Sequence, residues 1–224
     1  MSERKSKKVL ILGATGPTGL LTLRQALEHD HVVTVYARSP SKIPSDVSSS
    51  AKLKIIQGEL TDVEGLSKAI EGQDVIVSLL GPAGTVSGTP YTDAYRLIFP
   101  LMKRWGVKRI LAMGTASISD PEDGFSILAF LGVVLVRILA NSAYKDIVSV
   151  GNTFDTEATK NELDWTIFRL GFLSDGAPQT CKAGYVAKNG WALKNQRADI
   201  ASWLIEEVEK DDSEWIRKRP ALWS

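Results

Sequence analysis

The chain has 224 residues, 44% of them hydrophobic, which suits one sizeable α/β core better than two small ones. Its 27 basic and 26 acidic side chains leave a net charge of +1, so no overall field recruits nucleic acid or an anionic membrane and a small-molecule partner is expected. The single cysteine, Cys181, excludes an intrachain disulfide, and with no apolar signal core near the start the expected location is the reducing cytoplasm.

A short basic leader precedes Val9 to Leu12, whose branching and length predict a buried parallel strand, and Leu20 to Glu28 follows with helical spacing. Between them Gly13, Gly16 and Gly19 stand three apart. Further strands are predicted at His31–Ala37, Leu53–Gln57, Asp74–Leu80, Arg109–Met113 and Trp165–Phe168 extending to Arg169. The serine-rich stretch from Ser39 to Ala51 reads as a flexible surface loop. Thr61-Asp-Val-Glu64 forms a capping box ahead of a helix to Ile70, and Thr89-Pro90 starts another that ends at Gly106, with Pro100 a possible kink. The apolar run Phe125 to Ala140 is too short to span a bilayer and carries Arg137; it reads as a buried helix or lid, with a hydrophobic partner surface as the alternative. A long helix over about 142–160, a short strand near Tyr185–Ala187 and a helix over 198–209 complete the order. Alternating strands and helices predict a doubly wound, mostly parallel sheet of the Rossmann type, whose ligands lie beyond the carboxyl ends of the strands.

The glycine turn is the first such end. Gly13 permits the bend, Gly16 allows close approach to a pyrophosphate, and Gly19 lets the helix pack on the strand; Thr15, Pro17 and Thr18 complete the loop, and the helix start attracts the anion. The second strand ends Tyr36-Ala-Arg38-Ser39 where an NAD enzyme usually places a carboxylate. Arg38, Ser39 and Lys42 suit a 2′-phosphate, which predicts NADPH as cofactor. Gly58-Glu59-Leu60 and Asp62 are placed to flank the adenine, Asp62 serving its helix start as well. Leu79-Leu80-Gly81 opens a glycine-rich turn, continuing to Gly84, beside the nicotinamide ribose.

These motifs, together with Asp164-Trp-Thr-Ile-Phe-Arg169, resemble the atypical short-chain dehydrogenase/reductases, nearest to their biliverdin reductase B (flavin reductase) and NmrA-like members, over nearly the whole chain. The resemblance implies one NADPH-binding domain acting on a flavin, quinone or other planar aromatic, with fungal relatives in polyketide secondary metabolism. Ordinary members use Tyr-x-x-x-Lys, in which the lysine lowers the tyrosine pKa. No such motif occurs here; the corresponding places fall near Ile147 and Gly151, and Tyr144 and Lys145 are adjacent. Thr115 matches the family's serine or threonine and could bond a substrate carbonyl or the nicotinamide carboxamide, or its own backbone as a turn hydroxyl. Tyr144 is a candidate proton donor or stacking wall, equally a packing residue.

Arg169, Leu170, Gly171 and Phe172 follow the sixth strand and are expected beside nicotinamide and substrate, with Gly171, where many relatives carry proline, loosening that wall. Phe172 offers an aromatic face or core packing, Tyr91, Tyr95 and Trp105 read as core, Cys181 receives no role, and His29 and His31 are excluded by lying at the other edge of the sheet. A single domain over 1–224 is expected, with substrate-covering segments at 120–145 and 171–195, as a monomer or weak homodimer, without metal, nucleic acid or membrane. Because hydride transfer needs no side-chain nucleophile, the leading expectation is an NADPH-dependent reductase of a planar aromatic acceptor. The alternatives are an NADP(H)-binding redox sensor without turnover and a non-redox isomerase, cyclase or lyase using the same pocket.

Overall fold

Val9, Leu10, Ile11 and Leu12 are all fully buried, as a strand covered on both faces requires, and they form most of β1 (Lys8–Leu12) at the centre of the sheet. The computed structural model describes residues 6–82 and 87–224. Helix α1 (Pro17–Glu28) leads to β2 (Val32–Ala37), a 3₁₀ turn (Pro40–Lys42), the short α2 (Ser45–Ser48) and β3 (Leu53–Gln57). Next come α3 (Val63–Ile70), β4 (Val75–Ser78), α4 (Pro90–Trp105) and β5 (Arg109–Thr115). Helix α5 (Ile127–Leu139) runs into α6 (Asn141–Thr153), which ends in a π-helical turn (Phe154–Ala158) before β6 (Asp164–Leu170). The remainder is β7 (Phe172–Ser174), β8 (Lys182–Gly184), β9 (Lys194–Gln196), α7 (Arg197–Glu209) and β10 (Ala221–Trp223).

The main sheet has eight strands in the order β3-β2-β1-β4-β5-β6-β10-β8. All neighbours pair parallel except β10 and β8. The doubly wound Rossmann fold expected from the alternation is therefore the fold observed, with the order reversing between β1 and β4. One core layer packs α3, α4 and α6 on the sheet around Tyr95, Phe99, Phe154 and Trp165; the other packs α1 and α7 around Leu23, Phe168, Trp203 and Leu204. The strands β7 and β9 pair separately as a small parallel ribbon.

Several local expectations give way to tertiary contacts. Ser39–Ala51 is no loose loop, because Ile43 and Val47 are buried in the core and Arg24 bonds Asp46 at 2.6 Å. The cap of α3 is Asp62, which accepts from the Gly65 amide at 3.0 Å, not Thr61. Helix α4 continues through Pro100 to a left-handed Gly106. The short strand near 185 lies slightly earlier, at Lys182–Gly184. The apolar run at 125–140 is helical but not buried, since Ala129 alone of α5 is. The edge pairing by β10 and the β7–β9 ribbon carry too few residues for any periodic signal.

Candidate functional site

A cleft of about 450 Å³ opens at the carboxyl ends of β1 to β4, a size in the range of small-molecule sites. Its floor is the glycine turn. Gly13 has φ of +79°, and a Cβ there would stand 2.7 Å from the Leu79 carbonyl oxygen, so both backbone conformation and space demand glycine. A Cβ on Gly19 would reach 2.2 Å from the Gly13 oxygen, which fixes α1 tightly under the loop. Gly16 instead meets nothing nearer than 3.5 Å. Gly16 caps α1 without a side-chain acceptor, Pro17 has no amide hydrogen to satisfy, and no acid sits in the first turn. The next amides and the helix dipole are thus left for an anion. Thr18 supplies backbone only, its side chain being buried and its carbonyl accepting from Thr22 Oγ1 at 3.0 Å.

Thr15, Gly16, Pro17, Arg38, Ser39, Lys42, Glu59, Leu60, Leu79, Leu80 and Gly81 line this one cleft with Gly13. Arg38 and Lys42 are exposed, and neither has a carboxylate partner among the described residues. The Gly58–Glu59 part of the lining is held by Tyr36, whose hydroxyl donates to the Glu59 carbonyl at 2.8 Å and whose ring leaves no room for a Cβ at Gly58. Burial pushes the Tyr36 phenol up to about 12, so it stays a neutral donor. Of the turn after Leu80, residues 83 and 84 lie outside the described residues.

Sequence reasoning placed Tyr91 in the core, but it lines the cleft and donates to the Gly81 carbonyl at 2.8 Å. Its position is set from afar. The fully buried Asp146 of α6 accepts from the amides of Tyr91 and Thr92, each at 3.0 Å, and from Thr92 Oγ1 at 2.6 Å. It thereby caps α4, whose own Thr89 makes no cap bond. No local pattern marks Asp146, since it lies more than fifty residues from the helix start it serves.

A second cavity of about 150 Å³ lies at the ends of β5 and β6. It is mostly apolar, walled by Ala129, Gly132, Val133 and Val136 of α5 and by Leu170, Gly171, Phe172 and Leu193, with Thr115 and Ser117 as polar groups. Thr115 Oγ1 accepts from the Ser117 amide at 3.2 Å, so the hydroxyl serves a turn while its own hydrogen remains to donate. Phe172 is 68% exposed at the rim and is not core. The two segments expected to cover a substrate, 120–145 and 171–195, both contribute to these walls.

Three expected roles change. Arg169 does not face a ligand: 1% exposed, it pairs bidentately with Asp123 at 2.6 and 2.7 Å and donates to the carbonyls of Ile118 and Arg219. Burial alone would raise the Asp123 carboxyl, but the guanidinium and two amide donors outweigh it and hold it below the usual carboxylate range. Gly171 is not a loose wall, because its amide donates to Asn195 Oδ1 at 2.7 Å and a Cβ would stand 2.1 Å from the Leu193 oxygen. Tyr144 lies apart from Thr115, in another cleft with Val134, Ile138 and Lys145, its ring beneath Arg137 at 5.8 Å.

The places of the ordinary Tyr-Lys pair are closed as well. Ile147 is buried, and a Cβ on Gly151 would already be 2.8 Å from Ile118. Cys181 packs against the core, and burial pushes its thiol up to about 12, leaving it unreactive. His31 is fully buried beside Lys7, and His29 meets Glu209 at 2.8 Å, both far from the strand ends that form the cleft.

This geometry defines a dinucleotide-binding protein of the doubly wound class. Residues 13–211 match the NAD(P)H-binding family, and the chain belongs to it. Isoflavone reductase homolog A622 of Nicotiana glauca is 25% identical over 97% of this chain and 68% of its own, and oxidoreductase aflX of Aspergillus parasiticus is 23% identical over 92% and 79%. A 3 beta-hydroxysteroid dehydrogenase/isomerase of Mycobacterium tuberculosis is 29% identical over 40% of this chain, but only 23% of that enzyme's length is spanned. Among solved structures, a short-chain dehydrogenase/reductase of Veillonella parvula in complex with NADP superposes with a TM-score of 0.79 at 17% identity, covering 98% and 95% of the two chains. The anaerobillin reductase ChuY of Escherichia coli does so at 0.70 with 19% identity, covering 96% of each. The NAD(P)H-binding family and the Rossmann-type fold agree with what the atypical short-chain dehydrogenase/reductase resemblance implied for fold and cofactor class.

Proposed function

We propose that this chain is an NADPH-dependent reductase of a planar aromatic acceptor such as a flavin, a quinone or a polyketide-like compound. The observation that carries the reading is the arrangement along one sheet edge. A larger cleft, with Arg38 and Lys42 in its lining and neither paired with a carboxylate among the described residues, lies at β1 to β4, and a smaller, almost wholly apolar cavity lies at β5 and β6. The reductase and oxidoreductase names of the two long relatives support redox chemistry.

In this reading the amides of α1 and the Gly13 to Gly16 backbone hold the diphosphate, while Arg38, Ser39 and Lys42 hold the 2′-phosphate. Tyr91 fixes the Gly81 backbone toward the nicotinamide ribose. When bound, NADPH supplies the hydride. Thr115 and Ser117 orient a polar edge of the acceptor, Phe172 lies against its ring, and the α5 wall excludes water. An acceptor that takes its protons from solvent suits a pocket without the Tyr-Lys pair.

Titrating NADPH and NADH against the wild type and Arg38→Ala tests the cofactor assignment. Losing charge-assisted bonds to the 2′-phosphate should weaken NADPH by about 10- to 100-fold and leave NADH nearly unchanged. Equal losses would remove the 2′-phosphate role. Turnover is read as NADPH consumption with flavin, quinone and simple carbonyl acceptors. Tight NADPH binding with no consumption would instead establish a sensor, and product formed at constant NADPH a non-redox enzyme.

A further inference from the structure

The outward face of α5 is used by neither cavity. Ala129, Gly132, Val133 and Val136 follow the spacing of one helix face and turn onto the second cavity. The opposite side is apolar too: Leu128, Leu131, Leu135, Ile138 and Leu139 are each more than half exposed, reaching 74% at Leu139. A surface helix ordinarily turns polar residues outward, so an apolar patch of this kind is a contact surface.

Its rim decides what the surface meets. Arg137 and Lys145, which share a surface cleft with Ile138, are exposed, and neither pairs with a carboxylate among the described residues. Between residues 124 and 154 the single acid, Asp146, is sealed beneath the start of α4. A second copy docked face to face would bring these cations against each other. A layer of anionic headgroups would neutralise them while its acyl boundary receives the leucines. The helix is 13 residues long, about 20 Å against a hydrocarbon core of about 30 Å, so it fits in the plane of a bilayer and not across it. The near-neutral charge of the whole chain hides this local excess.

We propose that α5 seats the protein on an anionic lipid surface, its outward leucines in the boundary below the headgroups and Arg137 and Lys145 among the phosphates. One consequence rests on the reductase reading: because the inner face of the same helix walls the apolar cavity, the seat holds that cavity one helix away from a bilayer that concentrates lipophilic acceptors.

Flotation of the full chain with vesicles of phosphatidylcholine, alone or mixed with phosphatidylserine, tests the seat. The protein should float with the mixed vesicles and bind the neutral ones at least about tenfold less. Leu131→Gln with Leu135→Gln should cut binding by about tenfold or more, and Arg137→Gln with Lys145→Gln should remove most of the preference for phosphatidylserine. NADPH titration of each variant reports that it is folded. Absence of flotation with either vesicle overturns the seat, as does a dimer in sedimentation that the leucine variant abolishes, which would give the face to a second copy. NADPH binding without flotation removes the seat alone, whereas flotation without NADPH binding removes the reductase reading alone.

Discussion

The two ends of the sheet build their cavities by different means. At β1 to β4 the floor of the cleft is made of backbone: glycine turns, a helix start and short strand exits, each within a few residues of the strand that positions it, with Tyr91 and its distant Asp146 the exception. At β5, β6 and the segments beyond, the cavity is made of side chains fixed by partners far along the chain. Arg169 meets Asp123 across 46 residues, and Gly171 meets Asn195 across 24. The first end can be altered by changing a single turn; the second depends on distant pairs remaining intact.

Asp123→Ala should give the largest effect, because it strands the buried Arg169 guanidinium. A loss of about 3–5 kcal/mol in urea unfolding is expected, and a loss below about 1 kcal/mol would mean that the far end does not depend on this pair. The pair also sets a pH dependence. Asp123 titrates lower in the folded than in the unfolded chain, so its contribution is complete above the ordinary carboxylate pKa, near 4, and is lost as pH falls through the folded value. The stability gap between wild type and Asp123→Ala should therefore narrow in acid; a gap that stays constant would assign the depression to another group.

Gly171→Pro comes next. It introduces the proline that the family resemblance led one to expect here, yet it removes the donor to Asn195 and forces ring atoms toward the Leu193 oxygen. A loss of about 2–3 kcal/mol is expected, and a gain in stability would show that the close approach can relax. Gly13→Ala should cost roughly 1–3 kcal/mol through its positive φ and the Leu79 contact, and should weaken NADPH by more than about tenfold. If it loses stability while keeping its affinity, the turn is structural and not a phosphate cradle. Phe172→Ala should change stability by less than about 0.5 kcal/mol, since the ring is exposed, while raising KM for aromatic acceptors. An unchanged KM would remove the ring from the acceptor site.

The same contrast explains which parts were legible. Three spaced glycines between a branched strand and an amphipathic helix mark their own geometry, and Arg38 follows the second strand directly. The cap on α4 was not legible, because Asp146 is one acid among 26 and only folding brings it to the Tyr91 and Thr92 amides. Arg169 was misread for a related reason: its position after a strand centre suggested a ligand, while the partner that claims it lies in an irregular segment. Helix α5 was correctly read as apolar, but periodicity cannot tell a buried helix from an uncovered one.

By itself the sequence determined the alternation of strands and helices, the parallel sheet and the glycine turn, because each follows from steric and periodic rules acting within some twenty residues. Tertiary structure decided the closing of the Tyr-Lys places, the retirement of Arg169 into an ion pair, the cap by Asp146 and the exposure of α5. Those depend on which distant groups come into contact, and the free energy of burying or pairing a group is defined only once its neighbours are in place.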